Sequence, residues 1–198
     1  GLRITEKRPD GYHNLQTIFY PVNLADILEF IVPEEKIERD ILTMTGIPIV
    51  MEPEENLVMK ALLKMRNRCP IPFLKIHLHK IIPSGAGLGG GSSDAASFLK
   101  ILNRYFCFNL CENELKEIAL SLGSDCPFFI DGQPVFAEGR GEIMTRVNQL
   151  PEGLFLVLLK PEVSVSTREA FSNCTPYESE STPAGQYKMN ISSWKDNL

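Results

Sequence analysis

Between Phe73 and Ile82 the chain alternates: Leu74, Ile76 and Leu78 fall on one side, Lys75, His77 and His79 on the other. Successive strand residues point to opposite faces, so a period of two predicts a half-buried strand. From Ser92 to about Phe106 the period changes. Ala95, Phe98, Leu99, Leu102, Tyr105 and Phe106 recur at steps of three and four, which predicts an amphipathic helix. Ser92 or Ser93 suits its N-cap and Asp94 its first turn. A second helix is predicted to open at Glu54-Glu55-Asn56, with Leu57, Ala61, Leu62 and Met65 as its apolar stripe. A third runs over Glu112 to Leu122, with Gly123 suited to the position just past its end.

The remaining pattern reads as strands and turns. Gly1 to Thr5 is strand-like, and Lys7 to His13 is a turn bent by Pro9 and Asp10-Gly11. Strand segments between Leu15 and Val32 break at Pro21; the clearest is Asp26 to Val32, with Ile27, Glu29 and Ile31 opposite Leu28, Phe30 and Val32. Another strand region, Ile41 to Val50, is interrupted by Gly46 and Pro48. Gln133 to Val147 reads as a hairpin turning at Gly139-Arg140-Gly141. Leu154 to Leu159 is continuously apolar and predicts a buried strand, the first of a second domain. Two domains are therefore expected, 1–150 and 151–198, with a mobile linker over 172–187, where Ser, Thr, Pro and Glu dominate.

A net charge of −5 without a basic run argues against a nucleic-acid partner. No apolar run reaches the roughly 18 residues of a membrane helix, and the first residues lack a signal-peptide layout. Five cysteines, with no Cys-x-x-Cys pair, fit reduced cytoplasmic thiols better than a disulfide frame. His77 and His79 share a strand face, but two histidines without a third ligand make a poor metal site, so no metal-ligating residues are assigned.

The chemistry concentrates between the predicted strand and helix: Pro83-Ser84-Gly85-Ala86-Gly87-Leu88-Gly89-Gly90-Gly91-Ser92-Ser93. Glycine accepts positive φ and lets another group approach without a Cβ in the way. Backbone amides facing one way, followed by a helix N-terminus, suit a chain of phosphates. Gly85-x-Gly87-x-x-Gly90 formally matches a dinucleotide-binding loop, but the strand before such a loop is nearly all apolar, and here one face carries Lys and two His. A Walker loop needs a Lys after its glycines, and a protein kinase needs motifs that are missing.

The loop resembles that of the GHMP kinases, whose motif Pro-x-x-x-Gly-Leu-Gly-Ser-Ser-Ala-Ala stands here from Pro83 to Ala96. Three further stretches agree: Arg8-Pro9-Asp10-Gly11-Tyr12-His13, Leu122-Gly123-Ser124-Asp125-Cys126-Pro127-Phe128-Phe129, and Phe136-Ala137-Glu138-Gly139-Arg140-Gly141-Glu142. The triple glycine before Ser92 points to the branch that phosphorylates 4-diphosphocytidyl-2-C-methyl-D-erythritol. The resemblance implies an α+β fold, a GHMP kinase N-terminal domain followed by the start of a second α+β domain. It implies ATP as phosphoryl donor, held by residues 83–93, and Mg2+ with Ser92 or Ser93 near it. It makes Asp125, which alone would read as an N-cap, the catalytic carboxylate. Asn56, otherwise a helix cap, lies near the adenine in relatives; Lys80, otherwise a solvated strand end, is expected to reach the nucleotide. Tyr12 would stack on cytosine, His13 would hydrogen-bond its edge, and Phe171 would close from the other side.

Relatives carry a segment ending Lys-x-Asn-Leu before the position of Gly1 and continue past residue 198, so the chain is expected to be a fragment and inactive alone. Three rival readings remain: another small-molecule GHMP kinase, a non-catalytic nucleotide-binding module, and a dinucleotide-dependent oxidoreductase.

Overall fold

A computed structural model describes residues 2–147, 155–159, 170–171 and 174–176. In chain order the elements are β1 (Arg3–Lys7), β2 (His13–Phe19), β3 (Ile27–Ile31), β4 (Ile41–Gly46), α1 (Leu57–Arg66), β5 (Lys75–Lys80), α2 (Gly90–Tyr105), α3 (Glu112–Leu120), α4 (Cys126–Asp131), β6 (Val135–Glu138) and β7 (Ile143–Arg146). They fall into two compact units: Val22–Asp131, and Gly1–Pro21 together with Gly132–Leu198. The expected boundary near residue 150 lies outside the described residues, as does most of the expected linker over 172–187.

In the unit Val22–Asp131 the strands form a sheet in the order β3-β5-β4, antiparallel on one side of β5 and parallel on the other. Alternation decides which face is covered. Ile76 and Leu78 are buried, and Leu28, Phe30, Leu42 and Met44 pack on the same side. Against them lie Val58, Ala61, Leu62 and Met65 of α1, Ala95, Phe98, Leu99 and Leu102 of α2, and Leu115, Ile118 and Ala119 of α3. Phe98 is fully buried; burying a side chain of that size contributes about 2–3 kcal/mol. His77 and His79 turn outward, where Thr45 Oγ1 stands 2.9 Å from a ring nitrogen of each. Among the described residues no group of three or more His, Cys, Asp or Glu is placed to hold a metal ion.

In the other unit a four-stranded sheet runs β1-β2-β6-β7, antiparallel where neighbours pair. The turn after β1 is closed by Arg8 N–H to Tyr12 O at 2.8 Å and Gly11 N–H to Arg8 O at 3.1 Å. Gly11 sits there at φ 84°, a value that only glycine adopts cheaply. The hairpin turning at residues 139–141 is present, with Gly141 N–H bonded to Glu138 O at 3.0 Å.

Two expectations need correction. Residues 155–159 form no strand, and Phe155, Val157 and Leu159 are 98%, 80% and 89% exposed. An apolar run becomes a buried strand only when a neighbour supplies a ladder and a covering face, and no described strand pairs with it. The helix after the glycine loop begins at Gly90, two residues before its expected start, with Gly89 as N-cap at φ 66° and no side-chain cap. Ser92 and Ser93 therefore lie inside the first turn, free for contacts other than capping.

Candidate phosphate-binding site

The loop leaves β5 at Lys80 and enters α2 at Gly90. Gly85, Gly87 and Gly89 have φ of 67°, 70° and 66°, while the non-glycines with positive φ among the described residues are Cys107 and Asn109. Left-handed glycines thus alternate with ordinary residues, the backbone pattern that turns successive amides into a concave anion-binding surface. The first main-chain bond of the helix runs from Ser93 N–H to Gly89 O at 2.8 Å. The amides of Gly90, Gly91 and Ser92 are then the first-turn donors that the helix itself does not use, at the positive end of its dipole.

The glycines also make room. A Cβ on Gly89 would stand 2.7 Å from Phe129 Cζ and 3.6 Å from Asp125 Oδ2; one on Gly90 would stand 2.9 Å from Ile82 Cγ2 and 3.5 Å from Lys80 Nζ. One on Gly91 would touch Leu57 Cδ1 at 3.6 Å. The loop therefore lies directly against Phe129, Ile82 and the first residue of α1.

Asp125 stands immediately before α4. Ser92 Oγ donates to Asp125 Oδ1 at 3.0 Å, which joins the carboxylate to the first turn of α2. Gly123 approaches the same oxygen so closely that a Cβ there would lie 3.1 Å away. The next residue, Cys126, is wholly buried, and that burial pushes its thiol up to about 11.

Lys80 is only 4% exposed. Its Nζ donates to Asp26 and, at 2.7 Å, to Asp94 Oδ2. Asp26 Oδ1 also accepts the amides of Ile81 and, at 2.8 Å, Ile82, the residues that lead into the loop. Burial opposes both charges of the Asp26–Lys80 pair, but their hydrogen bonds outweigh it: Lys80 is held above the ordinary lysine value and Asp26 below the usual carboxylate range. For Asp94 burial wins over Lys80, and its carboxyl is pushed up to about 6. Lys80 was expected either open to solvent or reaching a nucleotide; its ammonium faces inward onto two carboxylates. Asp26 and Asp94 were missed as partners, although strand and helix periods give their side: Asp26 shares a face with Leu28 and Phe30, Lys80 with Ile76 and Leu78, Asp94 with Phe98 and Leu102.

Asn56 caps α1, its Oδ1 accepting Val58 N–H at 2.9 Å, and is 6% exposed. It is fixed at the start of the helix whose Leu57 meets Gly91.

The second unit carries the other expected residues. His13 opens β2 and is 7% exposed, its ring 5.5 Å from that of Phe171. Its Nε2 is buried without a hydrogen-bond partner. Tyr12 is 55% exposed, and the Arg140 guanidinium lies over its ring at 4.9 Å. Arg140 Nε likewise lacks a hydrogen-bond partner, with Glu142 Oε1 at 3.6 Å. Arg140 belongs to the Phe136–Glu142 motif, but nothing in local periodicity announces its contact with Tyr12 across 128 residues of chain.

The model for the "GHMP kinases N terminal domain" matches residues 56–133, which run from the α1 cap to just past the end of α4. The chain is 48% identical over 196 residues to a 4-diphosphocytidyl-2-C-methyl-D-erythritol kinase of Bacteroides fragilis, covering 99% of this chain and 72% of that protein. It is 50% identical over 198 residues to the protein of the same name from Bacteroides thetaiotaomicron, covering 100% and 72%. A crystal structure of 4-(cytidine 5'-diphospho)-2C-methyl-D-erythritol kinase superposes with a TM-score of 0.59 at 36% identity, over 79% of this chain and 57% of that one. A homoserine kinase from Cytophaga hutchinsonii shares the fold, with a TM-score of 0.54 at 16% identity. The chain belongs to the GHMP kinases, in the branch of the 4-diphosphocytidyl-2-C-methyl-D-erythritol kinases. The α+β architecture expected from the loop is the one found.

Proposed function

We propose that the chain takes part in ATP-dependent phosphorylation of the 2-hydroxyl of 4-diphosphocytidyl-2-C-methyl-D-erythritol, a step toward isoprenoid precursors. The observation that carries this reading is the Ser92–Asp125 hydrogen bond of 3.0 Å at the mouth of a loop with three left-handed glycines. It puts a fixed carboxylate beside amides suited to phosphate oxygens. A hydroxyl that attacks a γ-phosphate must lose a proton, and Asp125 is the acceptor. Little covalent chemistry is asked of the protein in such a transfer; positioning and charge stabilisation do most of it. The amides of residues 84–93 bind and orient the phosphates, Ser92 orients Asp125, and Asn56 and Leu57 border the nucleotide.

The oxygens of Ser92 and Asp125 suit a hard cation, so the donor set fits Mg2+. When bound, that ion offsets phosphate charge, with Ser92 or Ser93 near it. On the acceptor side, Tyr12 offers a ring face for cytosine and buried His13 Nε2 a hydrogen bond to its edge, with Phe171 beside it. An unpartnered buried nitrogen costs about 1–3 kcal/mol, a cost removed when a base edge pairs with it. The free cysteines and the small, charged acceptor support a cytoplasmic reaction on a small molecule.

The test is an assay of the intact protein with ATP, Mg2+ and a panel of acceptors. Transfer to the cytidyl substrate is expected, and Asp125→Asn should lower kcat by about 10²–10⁴-fold while ATP still binds. Transfer to homoserine or mevalonate in place of the cytidyl compound would reassign the acceptor; transfer to none would defeat the reading.

A further inference from the structure

We propose that Asp26, Lys80 and Asp94 form a buried clamp that sets the shape of the phosphate loop, with Lys80 a positioning residue and not a ligand of the nucleotide. The inference rests on the reading that this loop holds the phosphoryl donor.

Among the described residues, the clamp is where these three elements meet through polar side chains so deeply buried. Asp26 lies one residue before β3, Lys80 is the last residue of β5, and Asp94 is in the first turns of α2. Their side chains are 1%, 4% and 7% exposed. Lys80 Nζ holds both carboxylates, and Asp26 holds the amides of Ile81 and Ile82 besides. The direction in which the chain leaves β5 and the direction in which it enters α2 are thereby tied to one ammonium group.

The backbone of Lys80 is pinned as well. Its carbonyl accepts Ile47 N–H at 2.9 Å, and Gly46 packs so tightly on it that a Cβ there would lie 2.2 Å from Lys80 O. Gly90, the first residue of α2, would place a Cβ 3.5 Å from Lys80 Nζ. The ammonium therefore sits directly beneath the turn whose amides face a phosphate. To reach a nucleotide it would have to leave two buried carboxylates uncompensated, an arrangement far costlier than the pair itself.

Nor is the cluster arranged chiefly for stability. It buries two carboxylates against one ammonium, and burial raises the Asp94 carboxyl in spite of Lys80. Buried ion pairs are seldom better than apolar packing of the same volume. What this one supplies is a fixed geometry for the segment between its members.

The experiment measures ATP affinity by titration calorimetry, and KM for ATP and for the acceptor, on the intact protein and its Asp26→Asn, Asp94→Asn and Lys80→Met variants. Ile118→Ala, which loosens the core at α3, controls for lost stability alone. The clamp predicts that Asp94→Asn and Asp26→Asn, which keep the lysine, each weaken ATP binding tenfold or more. Acceptor KM should stay within twofold, and Ile118→Ala should bind ATP as the wild type does. Lys80→Met combined with Asp94→Asn should cost little more than either change alone. If Lys80→Met does not fold, the two Asn variants still decide the question. ATP binding unchanged or tightened in Asp94→Asn and Asp26→Asn overturns the clamp, because a freed lysine would then serve the ligand. A wild-type protein that binds no ATP overturns the nucleotide reading itself, and the clamp's role with it.

Discussion

The buried polar side chains at the glycine loop are hydrogen-bonded inside the protein, whereas near Tyr12 two buried nitrogens, on His13 and Arg140, have no hydrogen-bond partner. At the loop, Lys80 bonds two carboxylates, Ser92 bonds Asp125, and Asn56 caps α1. In the other unit His13 Nε2 and Arg140 Nε are buried without a hydrogen bond, the latter with Glu142 Oε1 at 3.6 Å, and Tyr12 is more than half exposed. A polyphosphate is gripped through backbone amides, whose placement needs a rigid frame and tight approach. A base is recognised by a ring face and an edge, which must be left unpaired to be used. One region is built as a mould, the other keeps two buried nitrogens without a hydrogen bond.

The difference can be pressed from both sides. The largest effect should come from the mould. Gly89→Ala forces a Cβ into left-handed backbone at 2.7 Å from Phe129. Strain of about 1–2 kcal/mol and overpacking of about 1–3 kcal/mol should together shift the denaturation midpoint strongly and weaken ATP binding. Gly87→Ala, with no heavy atom within 4 Å of its Cβ, should show the strain alone. Equal losses in the two variants would mean that the close approach to Phe129 is not what shapes the loop.

Tyr12→Ala should act the opposite way. Stacking of a base on an aromatic side chain contributes about 1–3 kcal/mol, so KM for the acceptor should rise about tenfold or more, with ATP affinity and melting temperature unchanged. A fall in melting temperature would show that the ring is part of the fold and erase the contrast.

The smallest effect is a slope. The Asp94 carboxyl rises from 3.8 to about 6 in the folded protein. The folded state thus keeps a proton that the unfolded chain gives up, so this group's contribution to stability is full below about pH 4 and is lost as pH rises through 6. One proton limits the slope to about 1.4 kcal/mol per pH unit. The lowered Asp26 carboxyl acts in the other direction, below pH 4. Urea unfolding between pH 4 and 6 should therefore show wild-type stability falling relative to Asp94→Asn; parallel curves would remove Asp94 from the account.

Much of this was legible in the pattern of residues. The period of two placed β5 and its inward Ile76 and Leu78, and the steps of three and four placed α2 apart from its start. That start was missed because Gly90 and Gly91 are poor helix formers, although a Cβ on either would crowd Ile82 or touch Leu57, so the close approach itself calls for glycine. The resemblance alone singled out Asp125 as the proposed catalytic carboxylate, since by itself Asp125 reads as any helix cap. The clamp was overlooked for a simpler reason: charged residues were assumed to face water. Continued one step past Leu78, the alternation already puts Lys80 among apolar neighbours. What local reading could not supply was pairing across distance, such as Arg140 over Tyr12 or Phe171 beside His13. The run at 155–159 failed in the same way, because apolar composition says that a segment needs a partner without saying which.

Cys126 adjoins Asp125, the proposed proton acceptor, yet it is sealed from solvent and its sulfur remains a thiol well above neutral pH. Maleimides and iodoacetamide, which attack the thiolate, will pass it by and mark Cys107, Cys111 and Cys174 at the exposed positions. Dyes can thus be attached to the native molecule without poisoning its chemistry, and an electrophilic inhibitor aimed at this sulfur would find no nucleophile.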